Sequence, residues 1–203
     1  MSIWRRVYGE TPGGWKTYGP NGITGVGAFA SDGDTPASVS AEQAMKIAAL
    51  FACVNLRSET IGSLPIQVRD KAKNILTDHP LYYLLHHSPN QWMVPAGYTS
   101  MNVSHMDLLG NAISIIRRNT IGQPIALLPY DPDVAQYKFN KSGSRRVWNL
   151  GEDEFKDDDV LHIPSFTMNG MWGQSRLSAG AAILRAQLDS NTAAQTAFRN
   201  GLS

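Results

Sequence analysis

Residues 40–64, SAEQAMKIAALFACVNLRSETIGSL, are the stretch that most constrains how this chain can fold. Ser40 is a favourable N-cap, and Gln43 completes a capping box in which each side chain satisfies a backbone N–H group of the first turn. Gly62 is a natural place for a helix to stop. The stretch therefore predicts a helix that begins at Ser40 and ends near Gly62.

The middle of this predicted helix is apolar on nearly every side. From residue 44 to residue 56 only Lys46 and Asn55 are strongly polar. Such a helix is expected to be buried on several sides, and the simplest interpretation is the central core helix of a small domain. Cys53 lies within it and is expected to be a small buried hydrophobe. It is the single cysteine, so it has no disulfide partner in the chain, which fits a reducing compartment.

The length and charge of the chain exclude some classes of protein. Its 203 residues, 42% of them hydrophobic, suit one domain or a compact domain with an appended element. A net charge of +1 does not resemble a protein that wraps nucleic acid electrostatically. No apolar run is long enough for a signal peptide or a membrane span, so we expect a soluble chain that is not exported and has no membrane partner.

Residues 1–39 contain eight glycines and three prolines and show neither helical nor strand periodicity. This composition predicts an arm or loop, not a folded unit. Trp4, Trp15 and Phe29 are candidate anchors with which the arm would dock on a neighbouring subunit or another partner. A glycine pattern at residues 25–30 resembles a dinucleotide-binding fingerprint, but no strand precedes it and no helix follows directly.

The middle of the chain predicts mixed helix and strand. An edge hairpin is expected over residues 64–76, and helices over 81–85 and 96–109. Four strand-like runs follow, separated by short loops rich in Gly, Pro, Asn and Asp, which is typical of an antiparallel meander. These runs are 112–117, 125–130, 134–139 and 145–150.

The last fifty residues predict a loop, a strand and a long helix. The acidic run at 152–159 is interpreted as a solvated loop, because its spacing does not match a calcium loop. Residues 160–163 read as a short strand, and 176–200 as a helix of about 25 residues. Arg185, Thr192 and Arg199 recur every seven residues and so share one face of this helix.

Candidates for catalysis and metal binding are sparse. No phosphate-binding loop, nucleophile elbow or zinc-protease motif is present. Adjacent His86 and His87 point about 100° apart on a helix and cannot converge on one metal. The sequence therefore predicts no catalytic residue, no metal site and no cofactor. The weak enzyme alternative is His105 or His162 acting as acid or base beside a carboxylate, with Asp107 and Asp159 as the candidates.

Several short motifs occur in a specific order and spacing. They are the Cys53–Pro65 run, Asp78-His79-Pro80-Leu81, Ser88-Pro89-Asn90, Gly110-Asn111-Ala112, Val160-Leu161-His162-Ile163 and Gly173-Gln174-Ser175. Together they resemble the N-terminal half of portal proteins from long-tailed double-stranded DNA phages. The resemblance implies an α+β fold. A glycine- and aromatic-rich arm (1–39) would precede a wing domain (40–172) with a buried helix and an antiparallel meander, followed by a long stem helix (173–203).

The resemblance also implies a function. Twelve copies would form a homo-oligomeric ring at one capsid vertex, through which double-stranded DNA passes non-specifically during packaging and ejection. The ring would contact the major capsid protein, the terminase and a head–tail adaptor, in the virion and, during assembly, in the host cytoplasm. Arg185, Thr192 and Arg199 would be candidates to face the channel.

Subunit packing is implied for one stretch of the apolar helix, where the candidate residues are Ile47, Ala48, Phe51 and Val54. The family's clip, second stem helix and crown have no counterpart here, so the chain is expected to be a portion of such a protein. One alternative stays open, a phage head-completion or adaptor protein that does not form the DNA channel.

Overall fold

The computed structural model describes most of the chain, namely residues 17–19, 22–23, 40–139, 145–168 and 170–201. The helices in this described part are α1 (Ala41–Ala44), α2 (Ala48–Gly62), α3 (Pro80–His86), α4 (Pro95–Leu108) and α5 (Arg176–Asn200). The strands are β1 (Thr17–Gly19), β2 (Gly22–Ile23), β3 (Asn111–Arg118), β4 (Pro124–Tyr130), β5 (Ala135–Phe139), β6 (Arg146–Leu150), β7 (Asp153–Lys156) and β8 (Val160–Pro164). Helices and antiparallel strands are mixed along the chain, which confirms the predicted α+β class.

The capping box at the first helix is confirmed. The Ser40 hydroxyl accepts from the backbone N–H of Gln43, and the Gln43 side chain accepts from the backbone N–H of Ser40. The predicted single helix is nevertheless interrupted, because α1 ends at Ala44 and α2 begins at Ala48. The intervening turn lets Ala44 enter a cluster with Val54, Leu108 and Leu177.

Helix α2 packs mainly on α4 along one stripe. Its buried residues are Val54, Ser58 and Gly62, spaced four apart. A Cβ atom at Gly62 would lie 2.0 Å from the Ser100 hydroxyl oxygen, so glycine is what allows the two helices to approach so closely. The other sides of α2 are largely exposed, and the prediction of a helix buried on several sides is therefore wrong for the isolated chain.

The strands form two antiparallel sheets. One has the order β4-β3-β8, with Ile113 opposite Tyr130 on one side and His162 on the other. The second has the order β2-β1-β5-β6-β7, with Tyr137 opposite Trp148. The four predicted strands are present, but they do not form one meander, because β4 and β5 belong to different sheets. A core of buried residues from both sheets closes this half of the fold: Ile113, Ala135, Tyr137, Trp148, Leu150 and Val160.

The acidic run at 152–159 is not the predicted solvated loop. Residues 153–156 form β7, and Asp157–Asp159 form a turn of 3₁₀ helix. Asp157 accepts a hydrogen bond from the Trp148 indole at 3.0 Å and forms an ion pair with the Arg146 guanidinium at 2.8 Å. Both partners lie on β6, so the acidic run itself could not reveal them.

Two further predictions change on folding. Residues 64–76 form a single bridge between Arg69 and Ile75, not a two-stranded hairpin. Strands β1 and β2 lie within residues 1–39, where no folded element is predicted, and β1 pairs with β5 by placing Tyr18 opposite Tyr137. That prediction is wrong for these few residues, because a short extended segment can add to an open sheet edge without any periodicity of its own.

Candidate assembly and channel surfaces

The start of α5 is tied to the rest of the fold by a buried carboxylate. The Asp107 side chain on α4 is only 5% exposed and pairs with two guanidinium groups: it forms an ion pair with Arg57 of α2 at 3.0 Å and accepts a hydrogen bond from Arg176 of α5. The Ser175 hydroxyl donates to the Leu108 carbonyl at 2.7 Å. Three helices far apart in sequence therefore meet at Asp107, and the position of α5 follows from this junction.

A second set of hydrogen bonds holds the segment that leads into α5. The fully buried Asn111 side chain accepts from the Gly173 backbone N–H at 2.8 Å and donates to the Gly173 carbonyl at 3.0 Å. A Cβ atom at Gly173 would lie 1.8 Å from the Gly110 carbonyl oxygen. Gly173 therefore allows this segment to lie directly against the turn between α4 and β3.

His162 belongs to the same network. Its Nε2 lies 2.9 Å from the Asn111 side-chain oxygen, and its Nδ1 lies 3.4 Å from an Arg146 guanidinium nitrogen. Arginine can only donate, so Nδ1 accepts and Nε2–H donates, which assigns a neutral imidazole. Burial, followed by the charge of Arg146, lowers the pKa of His162 to about 4, and Asp157 acts in the opposite direction. His162 is therefore a partly buried, hydrogen-bonded residue that links β8 to Asn111 and Arg146.

The acid–base pairs of the enzyme alternative are not brought together. Asp107 pairs with two arginines, and Asp159 pairs with Arg118 at 3.2 Å. Burial lowers the pKa of His105, and the carboxylate that raises it is Asp131, not either predicted partner. Within the described residues no group of three or more His, Cys, Asp or Glu is placed to hold a metal ion.

The candidate subunit-packing residues lie on different sides of α2. Ala48 is exposed and Phe51 is 49% exposed, so both could meet a neighbour. Ile47 is partly buried at the N-cap of α2. Val54 packs inside its own chain against Leu108 and Leu177, so it is a core residue of the single chain, and its part in subunit packing stays a prediction. Val54, Ser58 and Gly62 are spaced four apart and lie on the side of α2 that faces α4. This spacing is the sequence signal that Val54 is buried within the chain.

The sequence interpretation of Cys53 is also wrong, because its side chain is exposed. It lines a groove of about 370 Å³ between α2 and α5. Ile183 of α5 lines the same groove and is 78% exposed, while Leu56 of α2 is 71% exposed. Leu56 and Ile183 were missed as candidates, although the apolar run at residues 47–54, just before Leu56, already indicates more apolar surface than one packing partner can cover.

The candidate channel residues all lie on α5 and are exposed. The Arg185 guanidinium lies 3.5 Å from the Asp189 carboxylate on the next turn. The Thr192 hydroxyl donates to the Leu188 carbonyl at 2.9 Å. Arg199 lies in the last turn of the helix, which ends at Asn200. Beyond Leu188, which packs on the helical core, the described side chains of α5 are solvent-exposed.

Two remaining predictions concern the anchors of the N-terminal arm and contact with a membrane. Trp4, Trp15 and Phe29, the candidate arm anchors, lie outside the described residues. Among the helices that are described, none combines the length and the apolar character needed to cross a bilayer.

A family model and individual relatives of this chain point to the same protein family. The phage portal protein family model matches residues 48–203. The portal protein of Enterobacteria phage HK97 is 27% identical over 195 residues, covering 89% of this chain and 45% of that protein. The probable portal protein of Streptomyces phage phiC31 is 29% identical over 203 residues, covering 84% of this chain and 41% of that protein. The chain thus spans less than half the length of these two relatives.

Solved structures show the same fold. A chain from the neck of an empty gene transfer agent particle has a TM-score of 0.63 at 21% identity, covering 75% of this chain and 43% of that chain. The crystal structure of an HK97 family phage portal protein from Corynebacterium diphtheriae has a TM-score of 0.56 at 17% identity, covering 80% of this chain and 50% of that chain. With a family model that matches most of its residues, this chain belongs to the phage portal protein family.

Proposed function

We propose that this chain is a ring-forming subunit of a portal, in which twelve copies at one capsid vertex surround the channel for DNA packaging and ejection. Residues 40–172 form the wing, residues 173–203 contribute the stem helix, and the arm at residues 1–39 docks on a neighbour through Trp4, Trp15 and Phe29. The proposed partners are double-stranded DNA, the major capsid protein, the terminase and a head–tail adaptor. The role is structural, and the site of action is the virion.

The observation that carries this proposal is the apolar surface left uncovered on α2 and α5. Ala48 and Leu56 are exposed on α2, and Ile183 and Phe198 are 78% and 80% exposed on α5. Soluble monomers rarely leave large apolar patches in water. Association with further copies of the chain removes this surface from water, as a closed ring requires.

The charge of the stem helix supports a channel through which DNA slides. Arg185 is paired with Asp189, so only part of its positive charge is available to phosphate. The whole chain has a net charge of +1. Tight neutralisation of phosphates would hold DNA in place, since each neutralised phosphate adds to binding affinity. A weakly charged helix face suits movement without a sequence preference.

The proposal is tested by native mass spectrometry of the purified chain and of an Ala48→Glu variant. Ala48 is exposed, so the variant should retain its fold by circular dichroism while a buried charge at the interface weakens the ring. Ala72→Glu, at an exposed turn position, is the matched control and should assemble normally. A monomer for the unmodified chain would contradict the proposal and favour a head-completion or adaptor role.

A further inference from the structure

The groove between α2 and α5 is a concave apolar surface with a charged end. Its apolar lining comes from two helices that flank it: Leu50, Cys53 and Val54 on α2, and Leu177, Gly180, Ile183 and Leu184 on α5. The groove ends at Asp107, Arg57 and Arg176. With a volume of about 370 Å³, it has room for more than one aliphatic side chain.

The charged end of the groove has an excess of positive charge. Arg57 and Arg176 share the single Asp107 carboxylate, so two positive charges face one negative charge. The Asp107 side chain is buried, whereas both arginine side chains are about half exposed. The uncompensated charge is therefore on the solvent side, where an incoming carboxylate could reach it.

The same chain also has an exposed apolar surface that lies beside a negative charge instead of a positive one. On the side of α2 that faces away from the Val54 stripe lie Ala48, Ala52 and Leu56, all exposed; we call these three residues the α2 ridge. Glu59 follows Leu56 by three residues, which places the two side chains on neighbouring turns of one helix face. Glu59 is exposed and makes no ion pair with another described residue.

We propose that the α2 ridge of one copy docks in the α2–α5 groove of the next copy, with Leu56 against the apolar lining and Glu59 beside Arg57 and Arg176. The inference rests on the proposed ring. Shape and charge both match, since an apolar projection followed by a carboxylate meets an apolar recess that ends in excess positive charge. Because ridge and groove are different surfaces, the contact is head-to-tail, which is the kind that generates a ring.

The natural Cys53 makes this contact measurable. It is the only cysteine of the chain and lines the groove, and Ala52→Cys adds a second thiol on the ridge. A short bis-maleimide reagent should link Ala52→Cys chains into a ladder that extends beyond dimers. The unmodified chain, and the Ala52→Cys/Cys53→Ser double variant, each have one thiol and can give dimers at most. Thr120→Cys, an exposed site in the β3–β4 turn, should give no ladder.

Charge reversal gives a second readout. Glu59→Lys places a cation against Arg57 and Arg176 of the next copy and should weaken ring association by about tenfold or more. Glu42→Lys, at an exposed site on α1, is the matched control and should change association little.

Native mass spectrometry of each sample before cross-linking distinguishes failure of the ridge-in-groove contact from failure of the ring itself. A ring that forms without a ladder, or that tolerates Glu59→Lys as well as Glu42→Lys, would overturn the ridge-in-groove contact and leave the proposed ring intact. The absence of any ring from the unmodified chain would overturn both.

Discussion

Replacing Asp107 by Asn should destabilise the chain more than any other removal of a single charge, because this carboxylate joins three helices. The substitution keeps the shape of the side chain and removes the charge that pairs with Arg57 and Arg176. A hydrogen bond to a charged group contributes about 1.5–3 kcal/mol and a half-exposed ion pair up to about 1 kcal/mol. The Arg176 hydrogen bond should therefore account for most of the loss and the Arg57 ion pair for the rest. The expected loss is about 2–3 kcal/mol for the pair of contacts.

Thermal unfolding followed by circular dichroism measures this loss. For a domain of this size 1 kcal/mol corresponds to about 2–4 °C, so Tm should fall by about 5–10 °C. Asp153→Asn removes an exposed carboxylate and is the matched control, for which we expect a change near zero. A double-mutant cycle of Asp107→Asn with Arg57→Ala should show coupling. Equal Tm values for Asp107→Asn and Asp153→Asn would refute the argument that this junction holds α5 in place.

Three further predictions test separate parts of the account. Gly173→Ala should destabilise the fold by about 3 kcal/mol or more, because its Cβ would meet a carbonyl oxygen at 1.8 Å. Gly180→Ala, inside α5, should instead stabilise the fold by about 0.5–1 kcal/mol. Urea unfolding measures both changes. His162 is neutral in the fold, with a pKa lowered to about 4. The free energy of unfolding should therefore be constant above pH 6.5 and decrease by about 3 kcal/mol as pH falls to 4. His162→Gln should flatten that part of the stability–pH curve. Arg185→Glu combined with Arg199→Glu should leave the melting temperature nearly unchanged and slow DNA packaging, and an unaltered packaging rate would show that this face does not line the channel.

Much of the secondary structure could be predicted because the relevant signals are local. The capping box at Ser40, the proline that begins α3 and the glycine that ends α5 each act within one helical turn. The strand positions follow from turn residues and alternation in the same way. Most element boundaries in the described chain accordingly lie within a few residues of those predicted; the break between α1 and α2 and the strand β7 are exceptions.

Features that depend on distant residues could not be predicted. Short loops predicted one meander, but a loop length does not say whether the next strand pairs with the last, and here β5 pairs with β1 and β6. The Asp107 junction joins side chains 50 and more residues apart, with no periodic signal to connect them. The burial of α2 was overestimated because an apolar sequence does not show whether its partners lie in the same chain.

The central claim is that this chain assembles with copies of itself around a channel that the stem helices line. An electron-microscopy reconstruction of the purified particle tests this most directly. The account predicts a closed ring of twelve subunits with the α5 helices around the central opening and the α2 helices between neighbouring subunits. A monomer, or a particle in which α5 points away from any central opening, would contradict it.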